Sequence, residues 1–293
     1  KLSNKEDCVV NIPKDRYNIN RFYDDDNGSG KFKTQKGGFI DNIYDFDNTF
    51  FNISNKEAKS TDPQQRLLLM SVYETLQDAN IKRKDFEGTN TGVFIGSCGT
   101  EYFSNIMEKA EYCNEYCVTG GLMTLMSNRI SYVYNLKGPS MTIDTACSSS
   151  GNSLHMAVES LKRGETEMCL VGGSNLLINP ETTVCFSQGN FLSPDGKCKT
   201  FDNSANGYVR SEGIVTILIK PLEKAIADKN HIHAVILSTG SNQDGHTKSI
   251  TMPNGKMQEE LLKKCYQNIN LDEIVYIEAH GTGTKLGDKI EAN

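Results

Sequence analysis

Residues 141–165 read MTIDTACSSSGNSLHMAVESLKRGE, and this stretch decides the fold class. Its opening, MTIDTA, is a short apolar run that predicts a strand, and the small residues CSSS follow it directly. The next segment, SLHMAVESLKRGE, predicts a helix with a core-facing stripe. That stripe consists of Leu154, Ala157, Val158 and Leu161. The stretch therefore predicts a strand, a tight turn that carries Cys147, and a helix packed on the core.

Strands and helices alternate along most of the remaining chain. DPQQRLLLMSVYETLQDANI (62–81) opens with Asp and Pro, which is typical of a helix start, and its apolar residues recur every three or four positions. Those apolar residues are Leu67, Leu68, Val72, Leu76 and Ala79. Another helix is predicted over TGGLMTLMSNRISYVYNLKGPS (119–140), and one over MQEELLKKCYQNI (257–269). Strands are predicted at TGVFIGSCG (91–99), MCLVGGSNLL (168–177), GIVTILIKPL (213–222), HAVILSTGSNQ (233–243) and IVYIEAHGTG (274–283). This alternation predicts a layered α/β fold with buried strands.

Composition and charge exclude several classes of protein. The 293 residues are 37% hydrophobic and 23% charged, which is typical of a folded chain and not of a disordered or collagen-like one. The net charge is −6, and no long basic run is present, so nucleic acid is not expected as a partner. No stretch approaches about 18 apolar residues, so no membrane span is expected. Nine cysteines without the spacing of a disulfide framework favour the reducing cytoplasm.

Two pairs of residues have side chains that can bind a metal ion. Cys113 and Cys117 are four apart, but no CxxC motif or histidine pair lies nearby to complete a tetrahedral site. His231 and His233 alternate in HIHAVIL and therefore share one face of a predicted strand. The pattern favours a half-solvated strand face over a metal pair, so no metal is expected.

Cys147 is a candidate nucleophile because of its position between a strand and a helix. A thiol at a helix N-terminus lies at the positive end of the helix dipole, among backbone N–H groups, and this setting favours the thiolate. The same N–H groups can stabilise an oxyanion when a thiolate attacks a carbonyl. The alternative is a small buried cysteine at a tight turn. The local pattern leaves both interpretations open.

His280 is a second candidate. It ends the apolar run IVYIEA and opens the turn GTGTKLGD. Ligands of open α/β sheets bind beyond the carboxyl ends of the strands, and a neutral imidazole there can donate a hydrogen bond to a carbonyl or move a proton. The alternative is a surface histidine before a glycine turn.

DTACSSS together with EAHGTGT resembles the β-ketoacyl synthase family, specifically the ketosynthase domains of polyketide synthases. The resemblance extends over nearly the whole chain. Further matching segments are PKDRYN (13–18), KGGFIDNI (36–43), DPQQRLLL (62–69), TGVFIG (91–96), SNRISYVYNLKGPS (127–140), LSPDGKCKTFD (192–202), GYVRSEG (207–213) and NQDG with PNG (242–255).

The resemblance implies an acyltransferase that performs a decarboxylative Claisen condensation. Cys147 matches the nucleophile that takes an acyl chain from an acyl carrier protein, and His280 matches the first of two active-site histidines, which binds the malonyl-type thioester. The implied fold is a thiolase-like α/β/α/β/α sandwich, with the N-terminal half over 1–224 and the start of the C-terminal half over 225–293. A homodimer is implied. No bound cofactor or metal is implied, because phosphopantetheine arrives on the carrier protein.

The sequence departs from the family pattern in two places. The segment with the second catalytic histidine and a Gly-Phe-Gly-Gly loop is not found, and neither is the family's opening apolar strand. We therefore expect either a region of a longer synthase or an inactive ketosynthase remnant with at most carrier-protein docking or dimerisation, and we expect the isolated chain to be inactive and prone to aggregate. Gly151 and Asn152 stand where the family usually has bulky apolar residues, so the acyl pocket is expected to be altered.

A degradative thiolase is a third interpretation. It shares the implied fold but uses a second cysteine in its C-terminal half. EAHGTGT argues against this interpretation.

Overall fold

The computed structural model describes residues 2–293, which form two compact units. The sheet unit comprises Ile40–Leu176 and Glu212–Thr239. The second unit comprises Leu177–Ser211, Gly240–Asn293 and the stretch that ends at Phe39. The strands are β1 (Val9–Asn11), β2 (Lys36–Gly38), β3 (Thr91–Ser97), β4 (Ser140–Ile143), β5 (Met168–Asn175) and β6 (Gly213–Ile219). The helices are α1 (Asn55–Ser60), α2 (Pro63–Asp78), α3 (Arg83–Phe86), α4 (Glu101–Met107), α5 (Cys117–Gly121), α6 (Leu125–Val133), α7 (Ser149–Lys162), α8 (Pro180–Gln188), α9 (Leu222–Ala227), α10 (Gly255–Tyr266) and α11 (Gly287–Glu291).

A four-stranded mixed sheet forms the centre of the sheet unit. Its strand order is β4-β3-β5-β6. Strand β3 runs parallel to both β4 and β5, and β6 runs antiparallel to β5. In this register Ile95 lies opposite Thr142 on one side and Gly172 on the other. The parallel pairs place the carboxyl ends of β3, β4 and β5 at the same edge of the sheet.

Helices cover both faces of this sheet because successive side chains on a strand point in opposite directions. Val93, Ile95 and Leu170 are fully buried in one cluster with the apolar sides of α2 and α6. Phe94 and Val171 face the other way and pack on α7. Burial of each such side chain stabilises the fold by about 1.5–3 kcal/mol. The sheet unit is therefore a three-layer α/β/α structure, as the alternating sequence pattern predicted.

The helix predicted from Asp62 is confirmed. The Asp62 side chain accepts a hydrogen bond from the Gln64 backbone N–H at 2.8 Å and caps α2, and Pro63 takes the first helical position. Most of the predicted stripe is buried, whereas Leu67 and Ala79 at its margin are half-buried. The buried members are Leu68, Val72 and Leu76, and Leu69, which lies outside the predicted stripe, is buried as well.

A buried polar network joins α6 to the elements before it in the chain. The Arg129 guanidinium donates to Gln65 Oε1 at 2.6 Å, to Glu57 Oε1 at 2.7 Å and to the Thr119 carbonyl at 3.1 Å. Glycine is required at 120, where a Cβ would lie 1.9 Å from the Ser60 carbonyl oxygen. Moving any of these helices away would leave the buried Arg129 guanidinium without one of its partners, which is energetically costly. The network therefore fixes how α1, α2, α5 and α6 pack.

Three sequence predictions of secondary structure are wrong. HAVILSTGSNQ (233–243) and IVYIEAHGTG (274–283) are extended, but neither pairs with a strand among residues 2–293, and Val275 is almost fully exposed. Apolar character favours a strand, but a strand forms only where a neighbouring backbone supplies hydrogen bonds. The helix predicted over 119–140 is two short helices, since α5 ends at Gly121, after two glycines that favour helix poorly, and α6 begins at Leu125.

The second unit has little regular structure. Strands β1 and β2 pair antiparallel, and α8, α10 and α11 are joined by long loops. Across residues 2–293, no helix is both long enough and apolar enough to cross a membrane. All nine cysteines lie within this described range, and none of them forms a disulfide.

Asp62 makes the stability of the sheet unit depend on pH. Burial raises the pKa of its carboxyl to about 6, from an ordinary value of 3.8. Between these values the folded state binds more protons than the unfolded state, so the contribution of this group to stability falls as the pH rises, by about 3 kcal/mol in total.

We predict that Asp62→Asn, which keeps a good helix cap, gains stability relative to the parent as the pH rises from about 4 to about 7.5. Urea unfolding of both proteins at the two pH values measures the difference. An equal difference at both pH values would show that the Asp62 carboxyl titrates normally.

Candidate active site

Cys147 lies in a turn between β4 and α7. Strand β4 ends at Ile143, a single 3₁₀ turn covers Ala146–Ser148, and α7 begins at Ser149. Ala146 has a φ of 54°, in the left-handed region that costs a non-glycine residue about 1–2 kcal/mol. Its backbone N–H donates to Asp144 Oδ1 at 3.0 Å. The chain therefore reverses sharply at the residue immediately before the cysteine.

The serines after Cys147 hold this turn in place. Ser149 Oγ donates to the Ala146 carbonyl at 2.6 Å and accepts from the Thr145 N–H at 2.9 Å. Ser148 Oγ donates to the Thr145 carbonyl at 2.8 Å. Short hydroxyl side chains can form these local bonds to the backbone, whereas apolar residues cannot. The CSSS motif thus supplies the bonds that shape the turn.

Two glycines allow the first turn of α7 to lie directly on the sheet. A Cβ on Gly96 of β3 would lie 2.4 Å from the Ser150 nitrogen, and a Cβ on Gly173 of β5 would lie 3.1 Å from the Ser150 Cβ. These approaches place the turn at the carboxyl ends of the parallel strands. Cys147 is therefore positioned by backbone packing at the edge where α/β folds bind ligands.

Gly151 and Asn152, which depart from the family pattern, have different surroundings. A Cβ at Gly151 would meet no atom within 4 Å. The Asn152 amide donates to Thr145 Oγ1 at 2.9 Å and to Ser148 Oγ at 3.2 Å. Asn152 thus adds a further brace to the cysteine turn, which the sequence pattern did not indicate.

The exposure of Cys147 separates it from the structural cysteines of the sheet unit. Cys147 is exposed, whereas Cys117 and Cys169 are buried. Burial raises the pKa of the Cys169 thiol, which keeps that thiol protonated. The alternative of a small buried cysteine at position 147 is therefore not what the structure shows.

His280 is exposed at the start of a loop whose backbone N–H groups donate hydrogen bonds to the carboxylates of Glu291 and Asp288. The backbone N–H groups of His280 and Gly281 donate to the two Glu291 carboxylate oxygens, at 2.6 and 2.8 Å. Asp288 is buried and accepts from the Gly283 N–H at 2.9 Å and from the Phe201 N–H at 2.6 Å.

The glycines of this loop allow its path. Gly281 and Gly283 have φ values of 50° and 73°. A Cβ at Gly283 would lie 2.8 Å from the Lys199 nitrogen. Sequence reasoning missed the supporting carboxylates of Asp288 and Glu291, although both follow the glycine turn within a dozen residues.

The two candidate residues lie in different units, Cys147 in the sheet unit and His280 in the second unit, and each is positioned by its own unit. Neither belongs to a group of three or more metal-ligating side chains in residues 2–293. Cys113 and Cys117 do not share a helix face, because Cys117 begins α5 and Cys113 precedes it.

Comparison with known protein families gives the class of this fold. The family model for the β-ketoacyl synthase N-terminal domain matches residues 1–225 of this chain, and the family model for the C-terminal domain matches residues 233–293. The chain therefore belongs to the β-ketoacyl synthase family.

Similar proteins define the branch of the family. The chain is 42% identical over 294 residues to the highly reducing polyketide synthase virA of Hypocrea virens, which covers 99% of this chain and 12% of that protein. It is 43% identical over 295 residues to the partially reducing polyketide synthase men1 of Menisporopsis theobromae, covering 98% of this chain and 11% of the relative. The chain thus spans about an eighth of the length of these relatives.

Solved structures give the same assignment. The ketosynthase from module 6 of the bacillaene synthase of Bacillus subtilis matches with 38% identity and a TM-score of 0.88, over 99% of this chain and 49% of that one. The oxazolomycin ketosynthase domain OzmH KS7 of Streptomyces albus matches with 36% identity and a TM-score of 0.94, over 99% and 51%. The chain is the counterpart of the ketosynthase region of polyketide synthases, with a thiolase-like α/β fold.

The glycine packing beneath α7 generates a prediction with an internal control. Gly96→Ala forces a Cβ against the backbone of α7, so we expect a loss of about 1–3 kcal/mol in the free energy of unfolding. Gly151→Ala adds the same methyl group where space is open, so we expect no loss and a gain of up to about 0.5–1 kcal/mol. Urea unfolding of the three proteins measures both effects. A Gly96→Ala variant as stable as the parent would refute the close packing.

Proposed function

We propose that this region acts as the ketosynthase of a polyketide synthase, an acyltransferase that extends a cysteine-bound acyl chain by decarboxylative Claisen condensation. The observation that carries the proposal is the exposed Cys147 on a strained turn between a buried sheet and the N-terminal end of α7. The family membership and the ketosynthase relatives support it.

The first step is transfer of the acyl chain to Cys147. The thiolate attacks the carbonyl of an acyl thioester, a new S–C bond forms, and the thiol of the donor leaves with the proton that the cysteine has lost. The position of Cys147 beside the helix N-terminus favours the thiolate and the tetrahedral oxyanion alike. The bonds from Ser149 and Asn152 to the turn keep the sulfur in one place during the attack.

The second step uses His280. Its imidazole donates a hydrogen bond to the thioester carbonyl of a malonyl-type extender. The bond to the extender carboxylate breaks, carbon dioxide leaves, and the electron pair remains as an enolate. The enolate carbon attacks the Cys147 thioester, a C–C bond forms, and the cysteine thiolate is released. The carboxylate of Glu291 holds the backbone that carries the imidazole, so Glu291 is a positioning residue.

The partners follow from this chemistry. Both thioesters arrive on the phosphopantetheine arm of an acyl carrier protein, so the region needs no cofactor or metal of its own for the condensation. We include in the proposal that the region works as a homodimer within a cytoplasmic synthase.

Cys147 is predicted to be the acylation site. In the intact synthase that contains this region, incubation with an acyl thioester is expected to add one acyl group to this region, and Cys147→Ala is expected to abolish the addition, because Cys147 lies in the turn that opens the 14-residue helix α7. Intact-protein mass spectrometry measures the addition. Cys113→Ala removes another exposed thiol and is the matched control. Acylation that survives in Cys147→Ala would assign the nucleophile elsewhere.

His280 is predicted to act after acylation. In the intact synthase that contains this region, His280→Ala should still accept the acyl group but should decarboxylate a malonyl thioester on the order of 10²–10³ times more slowly. Release of carbon dioxide measures the second step, and His246→Ala, which changes another exposed histidine of the second unit, is the control. A parental decarboxylation rate in His280→Ala would remove His280 from the mechanism.

A further inference from the structure

Two histidines and one carboxylate that the ketosynthase chemistry does not use lie together on the sheet unit. Asp78 is the last residue of α2, and His231 and His233 lie in the extended segment after α9. His233 Nε2 lies 2.6 Å from Asp78 Oδ2, and His231 Nδ1 lies 3.7 Å from Asp78 Oδ1. One ligand atom from each side chain lies within 4.8 Å of the other two. We call these three residues the His-His-Asp cluster.

The backbone brings the cluster together in two ways. Residues 231 and 233 point to the same side because the segment is extended, as the sequence pattern predicted, and their ring centroids are 4.3 Å apart. Asn230, the residue immediately before, donates from its amide to the Ala79 carbonyl at 3.3 Å and accepts from Lys220 Nζ at 3.2 Å. The start of the segment is thus tied to the end of α2, beside Asp78.

The electrostatic setting favours a cation. Asp78 ends a helix of 16 residues, and the C-terminal end of a helix dipole carries partial negative charge. Three further charged groups line the adjoining cavity, which has a volume of about 840 Å³: Glu74, Lys162 and Lys220. The two lysines are each paired, Lys162 with Glu159 and Lys220 with Asp228, which reduces their repulsion of a cation.

We propose that the His-His-Asp cluster binds one divalent transition-metal ion of the zinc class, with two imidazole nitrogens and one carboxylate oxygen as ligands. Imidazole selects zinc, copper, nickel and cobalt over magnesium and calcium, which prefer oxygen ligands. The remaining coordination position is open to water.

The distances suit such an ion. Zinc bonds to histidine nitrogen and carboxylate oxygen are about 2.0–2.2 Å long, so tetrahedral ligands lie about 3.3 Å from one another. The observed separations of 2.6 and 3.7 Å bracket that value. All three side chains are more than half exposed and can adjust by rotation alone. Binding at His233 Nε2 requires that this nitrogen carry no proton, so in the neutral ring the proton occupies Nδ1 and the hydrogen bond to Asp78 gives way to the metal bond.

The ion would join two segments that are distant in sequence. It would fix the end of α2 to the extended segment that, together with β6, lines the cavity. A ligand that binds the folded state stabilises it by mass action. The proposed role is structural: the ion holds residues 231–236 in position, independently of Cys147 and His280.

The test uses the 293-residue chain after treatment with EDTA and dialysis. Titration calorimetry with zinc chloride is expected to show one tight site and a higher melting temperature. The double variant His231→Ala/His233→Ala and the single variant Asp78→Asn are each expected to weaken binding by at least about tenfold. His246→Ala, an exposed histidine outside the cluster, is the matched control and should bind as the parent does.

Exposed cysteines also bind zinc, so cobalt(II) serves as a second probe. A site of nitrogen and oxygen ligands gives d–d bands without a thiolate-to-cobalt charge-transfer band, and we expect this spectrum in the parent and its loss in the double variant. Far-ultraviolet circular dichroism checks that each variant is folded. Zinc affinity unchanged in the folded double variant, a thiolate spectrum at one equivalent of cobalt, or no zinc binding by the parent would each overturn the proposal.

Discussion

The close approach of α7 to the sheet is the constraint on which the site depends. A Cβ at Gly96 would overlap the backbone of Ser149 and Ser150, so the helix can lie where it does because position 96 has no side chain. The N-terminal end of α7 therefore lies directly at the carboxyl ends of the strands. The left-handed turn at Ala146 follows from this geometry, since the chain must leave β4 and enter the helix within a few residues.

The two candidate catalytic residues are held by different means. The turn around Cys147 is held by hydroxyl and amide side chains close to it in sequence, such as Ser149 and Asn152. The loop that begins at His280 is held by carboxylates, with Glu291 and the buried Asp288 accepting hydrogen bonds from its backbone N–H groups. Both arrangements fix the backbone and leave the reactive side chain exposed, which suits residues that must meet a substrate delivered from outside.

Local sequence signals predicted much of the sheet unit, and non-local contacts account for what they missed. The start of α2 and its apolar stripe were predictable because capping and helical periodicity are local properties. The strands expected at 233–243 and 274–283 did not form, because apolar character does not supply a hydrogen-bonding neighbour. Asp78 was not predicted beside His231 and His233, since nothing in the sequence indicates which helix end meets that segment.

The measurement that tests the account most directly is the alkylation rate of each cysteine with iodoacetamide at mildly acidic pH, followed by peptide mapping. If the strand-turn-helix geometry makes Cys147 a nucleophile, Cys147 reacts faster than Cys113 and Cys185, which are also exposed but lack that setting. Equal rates at the three thiols would contradict the account, because exposure alone would then explain the reactivity of Cys147.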